Sequence, residues 1–568
     1  MTTMPSSFAQ PVSSLALLAA VAALVGGLAA CSKSPDAATA AGISSTAASA
    51  SAAQKALPLS ARLADDGIAW THAASAADVD AAFALAKSQA KPVFVYWGAG
   101  WCPPCNQVKA TIFNRQDFIE RSRAFVPVYV DGDSAGAQKL GARFHVSGYP
   151  TMVLFNSRGD EITRLPGEVD PARYTEVLNL GMSAARPARA VLADAMASGK
   201  TLTPNEWRLL AFYSFDTDQQ QLLAKDKVAA TLTRLAELCP PGQTQTATRL
   251  RLKALAAGTK PPPSGDLPAR ASMLGLLVLL RDPAASREEA DVLLNSPVEI
   301  ARSATAKGTP ERTQMVDMLA AALQRLEADA TLSRADRMQA LIGQVDLARI
   351  DMPDDDAATA GATPAPLPKL SPALLADVRE QTARADREIT DGYERQAVIT
   401  SAAYLLDRAG LSKDSDALLE ANLVKSHSPY YLMSELAGNA KRRGDKDAAL
   451  RWYRKAFEKS EGPATRLQWG ASYVSALVDL APGDESAIEA ATTRVWKDAA
   501  TQPDAFYERS GRSLQRVGTK LQAWSAGGAH AAPMGRLRAQ LATLCGQAGR
   551  NEAELATCSG LLAPPRKT

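Results

Sequence analysis

Two patterns of apolar and polar positions divide the chain. Between about residue 60 and residue 186, short apolar runs alternate with stretches of helical spacing. Ala77 to Ser88 predicts a helix, Pro92-Val93-Phe94-Val95-Tyr96-Trp97 a strand, and Cys105 to Phe113 a second helix. Phe125-Val126-Pro127-Val128-Tyr129-Val130 reads as the next strand and Ala135 to Phe144 as a helix. Two further strands follow around residues 152–155 and 161–165, and a closing helix starts at Pro171. Alternation of this kind implies a central sheet covered by helices. After about residue 187 the pattern changes. Ala, Leu, Arg, Glu and Asp dominate, apolar positions recur at helical spacing, and the region reads as all-helical. Breaks fall at Cys239-Pro240-Pro241-Gly242, at Pro261-Pro262-Pro263-Ser264-Gly265 and at Asp351 to Pro372.

The first sixty residues follow neither pattern. Leu15 to Ala30 is an unbroken run of apolar and small residues ending in Leu28-Ala29-Ala30-Cys31. It is shorter than the roughly 20 residues a membrane-spanning helix needs. The run resembles a bacterial lipoprotein leader, although residues 1–14 carry no Lys or Arg. That resemblance implies export, lipidation at Cys31 and, with Ser32 following, an outer-membrane address facing the periplasm. Residues 32–57 are mostly Ala, Ser, Thr and Gly, too poor in large apolar groups to build a core, and are expected to act as a tether.

The chemistry concentrates at Trp101-Cys102-Pro103-Pro104-Cys105, where a strand turns into a helix. Two cysteines at this spacing can close and reopen a disulfide. The positive end of the helix favours the first sulfur as thiolate, the species that attacks in thiol–disulfide exchange. Cys102 is therefore the expected nucleophile and Cys105 the resolving thiol. A CxxC also serves as half of a zinc site, but the chain has only six cysteines and four scattered histidines, with no second CxxC. No metal and no cofactor is expected.

Gly148-Tyr149-Pro150-Thr151 precedes the run Met152-Val153-Leu154-Phe155 and places Pro150 45 residues after Cys105. With the CxxC, this resembles the thioredoxin superfamily, and the Gly-Tyr-Pro-Thr wording is closest to protein disulfide isomerase domains. The resemblance implies a thioredoxin-like fold and a cis-proline at Pro150 facing the disulfide. It also implies a substrate site formed by Trp101, Tyr149 and Pro150. Two positions depart from thioredoxin. The family's buried aspartate falls on Val95 or Tyr96, and its lysine near Pro127. Neither supplies an obvious proton carrier for the resolving thiol. Glu120, Asp131 and Asp133 are read as surface residues.

Within the helical region, Ala403…Gly410 recurs as Ala437…Gly444, an offset of 34 residues. The second copy continues through Ala449, Tyr453 and Ala456 to Pro463. This resembles a tetratricopeptide repeat, which implies a concave surface for a protein partner. The bland alternative is that the helices only pack together. Arg451, Arg454, Lys455 and Lys459 read as a solvated helix face. Net charge is +3 over 568 residues with no basic block interleaved with aromatics, so nucleic acid is not an expected partner. Cys545 and Cys558 flank a turn and are candidates for a structural disulfide, whereas Cys239 reads as a small buried hydrophobe.

The expected organisation is a leader (1–30), a tether (31–57), a thioredoxin-like α/β domain (58–186), a helical region (187–350), a linker (351–372) and a tetratricopeptide-like helical region (373–568). The functional expectation is a lipid-anchored periplasmic thiol–disulfide oxidoreductase acting on protein thiols or disulfides, served by an upstream redox partner. The direction of electron flow stays open. The other reading is a helical-repeat binding or assembly lipoprotein whose thioredoxin-like domain is mainly structural.

Overall fold

The computed structural model describes residues 67–167, 170–197, 202–258, 267–352, 370–547 and 550–563, which fall in one compact unit. The expected leader, Cys31, the tether and most of the 351–372 linker lie outside the described residues.

The first part runs β1 (Thr71–His72), α1 (Ala76–Gln89), β2 (Val93–Gly98), α2 (Pro103–Val108), α3 (Gln116–Ser122), β3 (Val126–Asp131), α4 (Ala137–Arg143), β4 (Thr151–Phe155), β5 (Glu161–Leu165) and α5 (Pro171–Met182). The sheet order is β1-β3-β2-β4-β5. Strands β1, β3 and β2 are parallel, and β4 is antiparallel to both β2 and β5. The apolar run of β2 is buried at every position, as a central strand covered on both faces requires. Its alternate side chains feed two cores. Phe94 and Tyr96 join Phe113, Phe118, Tyr129 and Tyr174 on one face. Val93, Val95 and Trp97 join Val79, Leu140 and Phe144 on the other. A capping box starts α1: Ser75 Oγ accepts from the Asp78 N–H, and Asp78 accepts from the Ser75 N–H at 2.9 Å.

Beyond α5 every regular element among the described residues is helical, from Ala188–Ala197 to Glu552–Gly560. The fold is thus a thioredoxin-like sheet domain followed by a large helical region. Gly410 and Gly444 both take positive φ, +83° and +78°, at matching places in successive helix pairs, Gly392–Arg408 with Ser412–Asn422 and Pro429–Arg442 with Lys446–Lys459. The basic residues of the last helix, Arg451, Arg454, Lys455 and Lys459, are exposed.

No slack joint separates the two parts. Arg164 on β5 is fully buried and donates to the carbonyls of Phe144 and Thr217, each at 2.6 Å, and to His145 O at 2.9 Å. The Ser214 N–H returns a bond to Arg164 O at 3.0 Å. Each charge-assisted bond from the buried guanidinium is worth more than a neutral one, so this residue rivets the sheet edge to the loop that follows the helix Pro204–Phe212.

Three details depart from the expected elements. The Cys105 to Phe113 helix is an α-helix only to Val108 and continues as one π-helical turn, Lys109–Phe113, that delivers Ile112 and Phe113 into the sheet core. β1 and α3 are too short to leave a periodic signature. Asp131 and Asp133 are not surface residues. Both are partly buried beneath the helical region, whereas Glu120 is exposed as expected.

Candidate active site

Cys102 is the N-cap of α2, and Pro103 and Pro104 occupy the first helical turn, where a missing N–H costs nothing. The Cys105 N–H points at Cys102 Sγ at 3.2 Å, so the helix end presents a donor and its positive pole to that sulfur. The two cysteines form a disulfide with Cα atoms 5.2 Å apart. Asn106 fixes the turn around them. Its Nδ2 donates to Gly100 O and to Cys102 O, both at 2.8 Å. An amide side chain directly after the CxxC, in the first turn of the helix, is the sequence signal that could have singled it out.

The Tyr149–Pro150 peptide bond is cis. Tyr149 O lies 3.5 Å from Cys102 Sγ, so the residue before the proline faces the redox sulfur. The structure therefore brings together Cys102, Cys105, Tyr149 and Pro150. Trp101 lies beside them, its indole N–H donating to Asp133 Oδ2 at 2.9 Å. Gln138 is a hub that sequence reading missed. Its amide donates to Gly132 O at 2.7 Å and to the Tyr149 hydroxyl at 2.9 Å, and its Oε1 accepts from the Arg509 N–H at 2.9 Å.

Polar groups are buried near the β2–α2 turn that carries the pair. Tyr96, one of the two residues on which the family's buried acid falls, is stacked on Tyr129 with ring centroids 5.3 Å apart. Lys109, one turn after Cys105, is buried with its ammonium 5.2 Å from the ring centre of Tyr393 and 5.8 Å from that of Tyr129. Asp131 sits opposite Gly98 in the β2–β3 register. Burial, aided by the neighbouring Asp133 carboxylate, pushes its carboxyl up to about 6. Burial likewise holds the Tyr96 and Tyr129 phenols well above their ordinary range. A carboxyl near neutrality is thus present on the strand next to β2, rather than on β2 where the family places it.

The outer side of the pair is covered. Cys102 is 2% exposed, Cys105 0% and Trp101 8%. These three belong to one apolar cluster with Tyr430, Trp469, Val495, Phe506 and Leu514 of the C-terminal helices, not to either core of the sheet. At the far end of the same cluster Cys545 and Cys558 form a second disulfide, Cα atoms 5.6 Å apart. Cys239 is free and buried in a separate cluster. Among the described residues there is no group of His, Cys, Asp and Glu suited to a metal, and no helix long and apolar enough to cross a membrane.

Comparison with known proteins covers the same segment. Residues 79–181 match the sequence profile of a thioredoxin-like domain. Over 99 residues the chain is 33% identical to the thiol:disulfide interchange protein DsbD of Yersinia pestis, a match covering 16% of each protein. The protein of the same name in Cronobacter sakazakii is 32% identical over 118 residues, 20% of each chain. Thiol:disulfide interchange protein DsbD 1 of Pseudomonas aeruginosa is 29% identical over 113 residues, 19% of each chain. The chain spans a fifth or less of the length of these relatives. Sheet order, cis-proline and sequence agree on one assignment: this segment is a thioredoxin-superfamily domain, and its cysteine pair is of the thiol–disulfide oxidoreductase type.

Proposed function

We propose that the chain is a periplasmic thiol–disulfide oxidoreductase that acts on protein thiols or disulfides, held at the membrane through a lipid on Cys31. The observation that carries the redox part is the seat of Cys102, an N-cap sulfur facing the backbone carbonyl that precedes a cis-proline. In the reducing direction the Cys102 thiolate attacks a substrate disulfide, and one substrate sulfur leaves as thiolate. Cys105, deprotonated, then attacks Cys102 of the mixed disulfide and releases the second substrate sulfur. Two electrons pass to the substrate, and the Cys102–Cys105 disulfide is left. The oxidising direction is the reverse. Tyr149 and Pro150 would align the substrate backbone, with Trp101 beside the reacting sulfur. A redox partner restores the starting state.

The lipid anchor and outer-membrane address rest on the Leu28-Ala29-Ala30-Cys31 sequence followed by Ser32. A tetratricopeptide-like role for the C-terminal helices, and a protein partner on them, rest on the 34-residue offset. The other reading, a helical scaffold with a structural thioredoxin-like domain, draws on Val95 or Tyr96 standing where the family has an acid.

The test is an alkylation gel-shift titration of the full chain against glutathione buffers, with Cys102→Ser as control. A reversible midpoint near about −250 mV or below identifies a reductase, and one near about −120 mV an oxidant or isomerase. A pair that never exchanges gives the function to the scaffold. Loss of metabolic fatty-acid labelling in Cys31→Ser tests the anchor.

A further inference from the structure

The groove in which a thioredoxin-like domain would receive a polypeptide is already filled by this chain. Five side chains close it from the C-terminal helices and the loops that join them. His427 Nε2 donates to Gly100 O at 2.8 Å, and Gln396 Nε2 to Trp101 O at 3.3 Å, so the backbone on the N-terminal side of Cys102 is engaged. Tyr431 stacks on the Trp101 indole at 5.9 Å between ring centres, and Trp469 meets it edge-on at 6.5 Å. Arg509 lays its guanidinium 4.1 Å from the centre of the same indole and 5.4 Å from that of Tyr149.

The edges of this cover are fastened as well. Thr465 donates from its N–H at 2.8 Å and from its hydroxyl at 2.6 Å to Asp133, the residue that also holds the Trp101 indole. Asp504 accepts from the Gln138 N–H at 2.8 Å, capping α4 from outside the domain. Gly462, with φ +86°, passes so close to Asp133 that a Cβ there would lie 2.7 Å from the Asp133 side chain. The approach is backbone against side chain, a fitted surface rather than a loose overlay.

We propose that the C-terminal helices are an autoinhibitory cover over the redox pair, latched on Trp101 by Arg509 and Tyr431, and that protein substrates reach Cys102 only when this cover is displaced. The inference rests on the oxidoreductase reading above and names its regulation. Exchange requires the incoming sulfur to approach Cys102 along the bond being broken. A polypeptide needs in addition a surface beside Cys102 on which to lie, and there the Gly100 and Trp101 carbonyls and the Trp101 and Tyr149 rings are taken up by the chain's own residues. A small dithiol needs only a brief gap. Reactivity should therefore depend on the size of the partner, in proportion to the fraction of molecules that are open.

The experiment uses the full chain with dithiothreitol as the small reactant and insulin as the protein substrate, comparing wild type with Arg509→Gln, Arg509→Lys and Tyr431→Ala. Thermal melts monitor folding. The expected result is insulin reduction faster by about tenfold or more in Arg509→Gln and Tyr431→Ala, with the dithiothreitol rate within about threefold of wild type. Tyr431→Ala carries no charge change, so a matching gain in both variants assigns the effect to the cover rather than to the potential of the pair. Unchanged insulin rates in folded variants overturn the proposal. If the variants do not fold, the wild-type chain decides. After reduction, Cys102 should be alkylated readily by iodoacetamide and far more slowly by a polyethylene-glycol maleimide, and equal relative rates overturn the cover. Should dithiothreitol fail to exchange with the pair at all, the oxidoreductase reading falls and the cover with it. Exchange without size dependence removes the cover alone.

Discussion

The two disulfides among the described residues share one apolar cluster and differ in the helix ends they occupy. Cys102 caps the N-terminus of α2, where the free N–H of Cys105 and the positive pole of the helix face its sulfur. Cys545 is the last residue of the helix Ala531–Cys545, and Cys558 lies in the final turn of Glu552–Gly560, so both meet the carbonyl end of a helix. A thiolate is favoured at the first kind of position and disfavoured at the second. Burial is similar at the two sites. The direction of the backbone dipoles favours exchange at Cys102 and not at Cys545 or Cys558.

The largest expected effect removes the difference outright. Cys102→Ser should lower thiol–disulfide exchange by about three orders of magnitude or more, while Cys105→Ser should accumulate the mixed disulfide, both read by non-reducing gels after incubation with a disulfide substrate. Next, Cys558→Ser should leave the midpoint potential of Cys102–Cys105 in place and cost about 3 kcal/mol of stability, since the second disulfide closes a loop with a sequence separation of 13. Urea melts monitored by circular dichroism check the loss. A potential that moves with this variant would break the separation drawn between the pairs.

A smaller effect sharpens the electrostatic argument. In the reduced full chain, iodoacetamide labelling read by peptide mass spectrometry should be faster at Cys102 than at Cys545. Equal rates at the two sites would remove the helix-end explanation. The smallest effect concerns Asp131. Its folded carboxyl, near 6, stands above its unfolded value of 3.8, so the fold binds a proton that the unfolded chain has released. Stability is thus fully present below about pH 4 and is lost as pH rises from there through about 6, by on the order of 1–2 kcal/mol for a partly exposed group. Asp131→Asn should flatten that slope in urea melts taken across the interval.

The sheet domain was legible because its signals are local. The run through β2, the CxxC at a strand-to-helix turn and the Gly-Tyr-Pro-Thr stretch each carry their meaning within a few residues. Asp131 and Asp133 show where this ends. Read locally, Asp-Gly-Asp after a strand is a polar turn. Its burial comes from Thr465, Gly462 and the helices around them, more than 300 residues away in the chain. The helical region was legible as helices and opaque as a cover for the same reason. An apolar stripe shows that a face is buried and does not say against what. The wording around Tyr431, Trp469 and Arg509 contains nothing that points to Trp101.

The same separation sets an order in time. His427 meets Gly100 across 327 positions, and Asp504 meets Gln138 across 366. A chain made from its N-terminus lays down the cysteine pair and the entire sheet long before the residues that enclose them. During synthesis the pair is therefore bare, a dithiol open to attack any passing disulfide, and it becomes enclosed only as residues 396–512 take their places. Its chemistry belongs first to an unfinished molecule and only later to a sealed one.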